Sequence, residues 1–431
     1  MHTRVVKNLN SWIEVSPKHP FPVYNLPYGI GLFEDGTHSA ITRIGDFIVN
    51  LSLLFQSGLL RADGLTLKHL AAEYLNAYIA LPKATHLAVR ERLIELLTEK
   101  NAGLYKLDKD LKDSILVPHG KVRLLLPVKP GDYTDFYSSK EHATNVGIMF
   151  RGPENALMPN WLHMPIAYHG RSSSIVVSGT NLHRPWGQIV PPNAENPIFS
   201  PSKQVDFELE VAFVTRSGKP LGQPIKVNEA EDYIFGLVLF NDWSARDIQK
   251  WEYQPLGPFL GKNFGSTISP WIVTLEALEL FRCEGPAPEK ELLPYLQISG
   301  KKTFDIHLEV DITPNNGRPT TVCRSNFKYL YWNISQQLAH HTVNGCNIQA
   351  GDMMASGTIS GPSPDSFGSM LELAWKGTKP VKLDDGSERT FLLDGDTVTL
   401  RGYCENDGLY IGFGEATTTI LPAIDYYNSI Y

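Results

Sequence analysis

The chain has 431 residues, 42% of them hydrophobic and 20% charged, with a formal net charge of −7. That is the composition of a soluble globular protein with room for two or three domains. No Lys/Arg block of the kind that grips phosphate backbones occurs, and no run of 18 apolar residues, so neither nucleic acid nor a membrane is an expected partner.

The N-terminus, MHTRVVKNLNSWIEV, carries no apolar secretory core. Cys283, Cys323, Cys346 and Cys404 lie far apart with no CxxC pair. This argues against zinc-ribbon and thioredoxin readings and favours reduced thiols in a cytoplasmic protein.

Residues 20–64 predict short strands and turns: PYGIGLFEDG, HSAITRIG and DFIVNLSLLF alternate apolar and polar residues between Gly and Asp turns. From Thr66 to Ala80 and from Lys83 to Lys100 the apolar residues fall at helical spacing, with Pro82 between the two segments. LLLPVKPGDYTDFYSS (124–139) reads as an extended, proline-interrupted passage into a second region. The boundary is placed near 118–128, giving domains of 1–124 and 125–431.

Beyond it, SSIVVSGT, ELEVAFV, IFGLVLFND, SPWIVTLEAL, DIHLEVDIT and DTVTLRGYC are short β-like runs. A helix is predicted over Asn326–Thr342, and SARDIQ begins another for which Asp242 is a candidate N-cap. DGLYIGFGE reads as a β-bulge or closely packed strand. GPFLGKNFGST has neither the glycine spacing nor the Ser or Thr after Lys that a phosphate loop requires. The fold class is therefore mainly β, with an antiparallel or mixed second region and few helices.

One stretch poses a problem. In DFELEVAFV, strand alternation puts Phe207, Leu209, Val211 and Phe213 on one face and Asp206, Glu208 and Glu210 on the other. Unpaired like charges inside a core are costly, so a solvated edge, nearby Arg or Lys, or a metal ion must offset them. Asp135 and Asp242 also sit in otherwise apolar, β-like segments. Together Asp135, Glu208, Glu210 and Asp242 match an all-oxygen site for Ca²⁺ or Mg²⁺. His142, Glu372, Arg246, Gln249 and Lys262 occur in comparable settings and include a candidate general base and oxyanion-stabilising donors. Each has a plainer account singly: a hydrogen-bonded structural histidine, a helix cap, a surface lysine.

The segments GDYTDFYSSKEHATNVGIMFRG (131–152), MPNWLH, YHGRSSSIVVSGT, NDWSARDIQKWEYQPLGPFLGKNFGSTISPW (241–271), ASGTISG and SFGSMLELAWKGTKP are similar to the fumarylacetoacetate hydrolase family, carbon–carbon hydrolases of tyrosine and phenylalanine breakdown. The resemblance implies a small SH3-like N-terminal domain, a C-terminal β-sandwich roll and a homodimer acting on fumarylacetoacetate. It assigns Asp135, Glu208, Glu210 and Asp242 to a divalent metal, Ca²⁺ or Mg²⁺, and His142 to the general base, oriented by Glu372. Arg246, Gln249 and Lys262 are implied as oxyanion donors, and Tyr137, Arg151, Tyr168, Gln249, Tyr253 and Thr358 as substrate contacts. A second cation is implied near Lys262 and Ser266. Asp206 falls outside the ligand set and is expected to face solvent or pair locally.

Overall fold

The structure, a computed structural model, describes residues 9–426; the outermost ends of both expected domains lie outside the described residues. The N-terminal part is built on a five-stranded antiparallel sheet, in the order Leu116–Pro118, Phe47–Asn50, His38–Ile44, Tyr28–Leu32 and Arg123–Leu125. The run DFIVNLSLLF changes character part-way. Asn50 accepts a hydrogen bond from the Leu53 amide and starts a helix over Leu51–Gln56.

The helix Lys83–Thr98 forms where the spacing predicts it. The expected helix over Thr66–Ala80 does not: only Leu67–Leu70 and Asn76–Ile79 are helical. Tertiary partners take the groups between them, since Leu75 N–H bonds to Pro127 O and the Asn76 amide donates to Lys129 O and Ala350 O.

The larger part holds two packed sheets. The first runs Ala167–Gly170, Tyr133–Phe136, Met353–Ala355, Leu209–Thr215, Ile234–Asp242, Ser266–Ile268 and Ile175–Val177, and is mixed in direction. The second runs Thr320–Asn326, His307–Thr313, Thr397–Asn406, Leu409–Leu421 and Leu182–His183. Its last hairpin carries a register shift between Arg401 and Tyr403, where DGLYIGFGE reads as a bulged, close-packed strand. The expected helix over Asn326–Thr342 is a correction: residues up to Asn326 pair as a strand with His307–Thr313, and the helix is Ile334–Thr342, opened by a capping box of Asn333 and Gln336.

The central strands are covered on both faces, which explains their continuous apolar runs. Leu209, Val211, Phe213, Leu237 and Leu239 pack against Leu308, Val310, Val398, Leu400 and Phe413 of the second sheet. On the opposite face Ala212, Val214, Val238 and Phe240 join a cluster with Tyr28, Leu75, Tyr78 and Ile79 of the N-terminal part. Alternation places Glu210, Asp242, Asp135 and Ser266 on this second face, at its uncovered end.

The two parts meet around His86, whose ring lies edge-on to Tyr78 and Phe235. Arg216 donates to its Nδ1, so Nε2 carries the hydrogen and donates to Tyr78 O at 2.8 Å. Burial first, then the Arg216 charge, lowers the His86 pKa to about 4 from 6.5. A lowered histidine pKa favours the neutral form in the fold. Its contribution is therefore complete above pH 6.5 and is lost as pH falls toward 4, at most about 3 kcal/mol. Denaturant unfolding of the protein and of a His86→Gln variant should show a stability gap that narrows over that window. A gap constant from pH 7 to 4 would remove His86 from the acid response.

Candidate active site and metal centre

Asp135, Glu208, Glu210 and Asp242 come together, each at most 5% exposed, with one ligand atom from each lying within 4.8 Å of the others. In a flat sheet the strands of Asp135 and Asp242 would stand three spacings apart, about 14 Å. The carboxylates meet because the sheet curls and all four side chains project from one face. Glu208 lies in a break between strands Val205–Asp206 and Leu209–Thr215 and makes an isolated bridge to Ser369. Asp242 ends its strand; it does not cap the following helix, Arg246–Glu252, whose cap position is Ala245.

Two cations answer part of the charge. Lys262 Nζ lies 2.5 Å from Glu208 Oε2 and 2.7 Å from Asp242 Oδ2, and Arg246 Nη1 lies 2.7 Å from Glu208 Oε1. Burial opposes the charge on Glu208, yet Lys262, Arg246 and His142 together hold its pKa below the ordinary value. Burial likewise works against the Lys262 ammonium, but Asp242 and Glu208 raise its pKa. Lys262 thus remains protonated without a lone pair for a metal, and is itself the cation beside Asp242. Ser266 Oγ donates to Asp242 Oδ1 at 3.0 Å, and Tyr168 OH donates to Oδ2 at 3.0 Å.

Asp135 and Glu210 have no such relief. Burial, then the neighbouring Asp242, pushes the Asp135 pKa well above its usual range; burial, then Asp135 and Asp242, does the same to Glu210. Asp135 Oδ1 and Glu210 Oε1 are buried with no hydrogen-bond partner. Glu210 Oε2 accepts from Gly357 N–H at 3.1 Å. Two orphaned carboxylate oxygens facing two partnered acids fit a hard divalent cation.

His142 stands beside this cluster on the helix Lys140–Arg151, which Ser139 caps by accepting from the His142 amide. Its Nδ1 lies 2.7 Å from Glu372 Oε2. Glu372 is fully surrounded: Asn145 Nδ2 donates at 2.9 Å, Ser360 Oγ at 2.9 Å and Ser369 Oγ at 2.8 Å. Burial would raise its pKa, but His142 and these donors lower it, so the carboxylate stays ionised and accepts from Nδ1–H. Nε2 is left as the basic nitrogen. Tyr137 lies edge-on to His142 with ring centroids 5.3 Å apart.

Gln249 Oε1 accepts from Arg246 Nη1 at 3.3 Å, which leaves its Nε2 as a donor. Thr358 is buried next to Gly357. Two expected contacts stand at the periphery. Arg151 is exposed and donates to Asn155 O and Ala156 O, while Tyr253 is 45% exposed on a loop.

Of the two expectations for Asp206, facing solvent or pairing nearby, the structure shows pairing. Asp206 is fully buried, its Oδ2 accepting from Arg246 Nε at 2.8 Å and from Leu371 N–H at 3.0 Å, its Oδ1 from Met370 N–H at 2.7 Å. It thus joins Arg246 to the helix Met370–Leu373 that carries Glu372. Alternation marked Asp206 as a companion of Glu208, but nothing in the sequence named its partners. Asn145, Ser360 and Ser369 were not anticipated; only the Ser-x-x-Glu spacing of Ser369 and Glu372 hinted at a cap.

The "Fumarylacetoacetase N-terminal" family model matches residues 24–127, and "Fumarylacetoacetate (FAA) hydrolase C-terminal" matches residues 133–421. The chain belongs to this family. It is 52% identical to a fumarylacetoacetase of Dictyostelium discoideum over 96% of this chain and 98% of that protein. It is 50% identical to one of Arabidopsis thaliana and 49% to one of Homo sapiens, in each case over 96% of this chain and 99% of the relative. A solved fumarylacetoacetate hydrolase of Exiguobacterium antarcticum shares the fold at TM-score 0.51 and 16% identity, covering 92% of this chain and 99% of that one.

The orphaned oxygens generate a prediction. Without divalent cations, Asp135→Asn should leave the melting temperature unchanged or raise it, because it relieves like-charge repulsion. With Ca²⁺ or Mg²⁺ the unaltered protein should gain several degrees and the variant little. Equal gains in both would exclude Asp135 as a ligand.

Proposed function

We propose that the protein hydrolyses 4-fumarylacetoacetate to fumarate and acetoacetate, the closing step of tyrosine and phenylalanine breakdown. The observation that carries this reading is His142, bonded through Nδ1 to the ionised Glu372, set beside the four-acid cluster. The near-full-length likeness to fumarylacetoacetases supplies the substrate.

Asp135, Glu208, Glu210 and Asp242 would hold the divalent ion. When bound, it supplies Lewis acidity toward the 1,3-dioxygens of the diketone. The remaining chemistry falls to the chain. His142 Nε2 takes a proton from water as the oxygen adds to the carbonyl next to the fumaroyl double bond, and Glu372 stabilises the imidazolium formed. Arg246, the free Nε2 of Gln249 and the Lys262 ammonium, whose third N–H has only a long 3.5 Å bond to Asp242 O, stabilise the resulting alkoxide, each worth about 2–4 kcal/mol. Collapse breaks the carbon–carbon bond. His142 returns the proton to the acetoacetate carbanion, and the new carboxyl gives its proton to solvent as fumarate departs, so one water is consumed and no charge is left on the enzyme. Tyr137, Tyr168, Thr358, Arg151 and Tyr253 are the proposed substrate contacts, the last two by moving inward from their exposed positions.

We read residues 1–124 and 125–431 as the two domains; support comes from the last N-terminal strand ending at Leu125 and the large sheet beginning at Tyr133. A homodimer is inferred from the family resemblance. The all-oxygen ligand set supports Ca²⁺ or Mg²⁺, and four free cysteines fit the reducing cytoplasm. A second cation beside Ser266 would have to share Asp242 with Lys262.

Loss of diketone absorbance on adding fumarylacetoacetate tests the reading directly. Turnover should vanish with EDTA and return with Mg²⁺ or Ca²⁺. His142→Ala should lower kcat by about 10²–10⁴-fold while keeping metal binding. An unaltered, metal-loaded protein with no turnover, or a His142→Ala variant near full activity, would overturn the proposal.

A further inference from the structure

The residues between the helix Arg246–Glu252 and Lys262 form a loop whose tip is strongly apolar and open to solvent: Leu256 is 96% exposed and Phe259 67%. Such a tip has little to hold it. The two ends of the loop nevertheless carry Arg246 and Gln249 on one side and Lys262 on the other, and these must keep a fixed separation to serve one site.

Glu252 spans the base of the loop. Its Oε1 accepts from Phe259 N–H at 2.7 Å and from Gly261 N–H at 2.8 Å, and its Oε2 from Leu260 N–H at 2.9 Å. Three amides of consecutive residues converge on one carboxylate, a backbone concavity filled by an anion. Helix stability does not explain an acid here, because a negative charge in the last turn opposes the negative pole of the helix dipole. The carboxylate is oriented toward the returning chain instead.

The returning chain is packed closely as well. Ala245 N–H bonds to Gly261 O at 2.8 Å, and a Cβ at Gly261 would lie 2.7 Å from Gln249 Cβ and 2.8 Å from Gln249 N. Lys262 N–H then bonds to Phe259 O at 3.2 Å, so the turn that Glu252 grips is the turn that presents Lys262.

We propose that Glu252 is a positioning residue: it ties Phe259–Gly261 to the end of the Arg246–Glu252 helix and so sets the Lys262 ammonium between Glu208 and Asp242. Nothing in it touches the reacting atoms. Its kinetic half rests on the hydrolase reading above; its structural half does not.

The test combines amide hydrogen exchange with steady-state hydrolysis of fumarylacetoacetate, for the unaltered protein and for Glu252→Gln, Glu252→Ala and Glu252→Asp. In Glu252→Ala, exchange at Phe259, Leu260 and Gly261 should rise about tenfold or more, with the core amides unchanged. Its kcat should fall about tenfold or more while KM stays within about threefold, as expected when transition-state donors shift and ground-state binding does not. Glu252→Gln, which keeps the size but loses the charge and one acceptor, should fall between, and Glu252→Asp should recover part of kcat. Faster exchange with unaltered kcat would overturn the positioning role, and a kcat loss without faster exchange would overturn its route through the loop. An unaltered protein that does not hydrolyse the substrate would overturn the functional reading, leaving the exchange data to decide whether Glu252 holds the segment.

Discussion

Buried negative charge is the constraint on which the rest of the molecule depends. Five carboxylates, those of Asp135, Asp206, Glu208, Glu210 and Asp242, lie within one corner of the fold, and among the described residues Arg246 and Lys262 are the cations bonded to them. Two like charges about 4 Å apart repel by about 4 kcal/mol even at the effective dielectric of a protein surface. The corner therefore exists only because its charges are apportioned. Asp206 shares Arg246 with Glu208 and accepts from two amides, Glu208 shares Lys262 with Asp242, and Asp242 accepts from two hydroxyls besides. Asp135 and Glu210 have no cation bonded to them among the described residues, and together with their neighbours they fit a divalent ion.

The architecture serves that apportionment. Acids on non-adjacent strands share one site because the sheet curls, and the backbone tolerates the curvature at specific points. Gly357 is one, with φ +77° and no room for a side chain, since a Cβ would lie 2.2 Å from Phe136 O. The same residue offers its N–H to Glu210, so the close approach of two strands and the seating of a ligand are one event. On the far side of the cluster, the short helix of Glu372 is anchored through its first amides to Asp206. The His142–Glu372 pair and the cationic pair are thus tied together through Asp206.

Much of this was legible in the sequence. Alternation in DFELEVAFV placed Glu208 and Glu210 together, and long contiguous motifs pointed to the family and to His142, Glu372, Arg246 and Lys262. What periodicity could not show were non-local decisions. The Thr66–Ala80 segment has helical spacing, yet Pro127, Lys129 and Ala350 claim its polar groups and split it. The helix carrying His142 is hard to read from the sequence because Thr144, Val146, Gly147 and Ile148 are poor helix formers, and its start is marked only by Ser139. The partners of Asp206 were out of reach for a related reason: sequence spacing says which face a side chain takes, but not what the opposing chain presents there.

The face that bears the acids is, a few residues further along each strand, the face covered by Tyr28, Leu75 and Tyr78. The N-terminal part is therefore a wall of the catalytic sheet rather than an appendage. Severing it would strip the apolar cover from one side of strands whose other ends carry the acids. By the same logic, a cavity opened at Tyr78 or Leu75 would weaken the sheet while every acid of the cluster kept its own contacts.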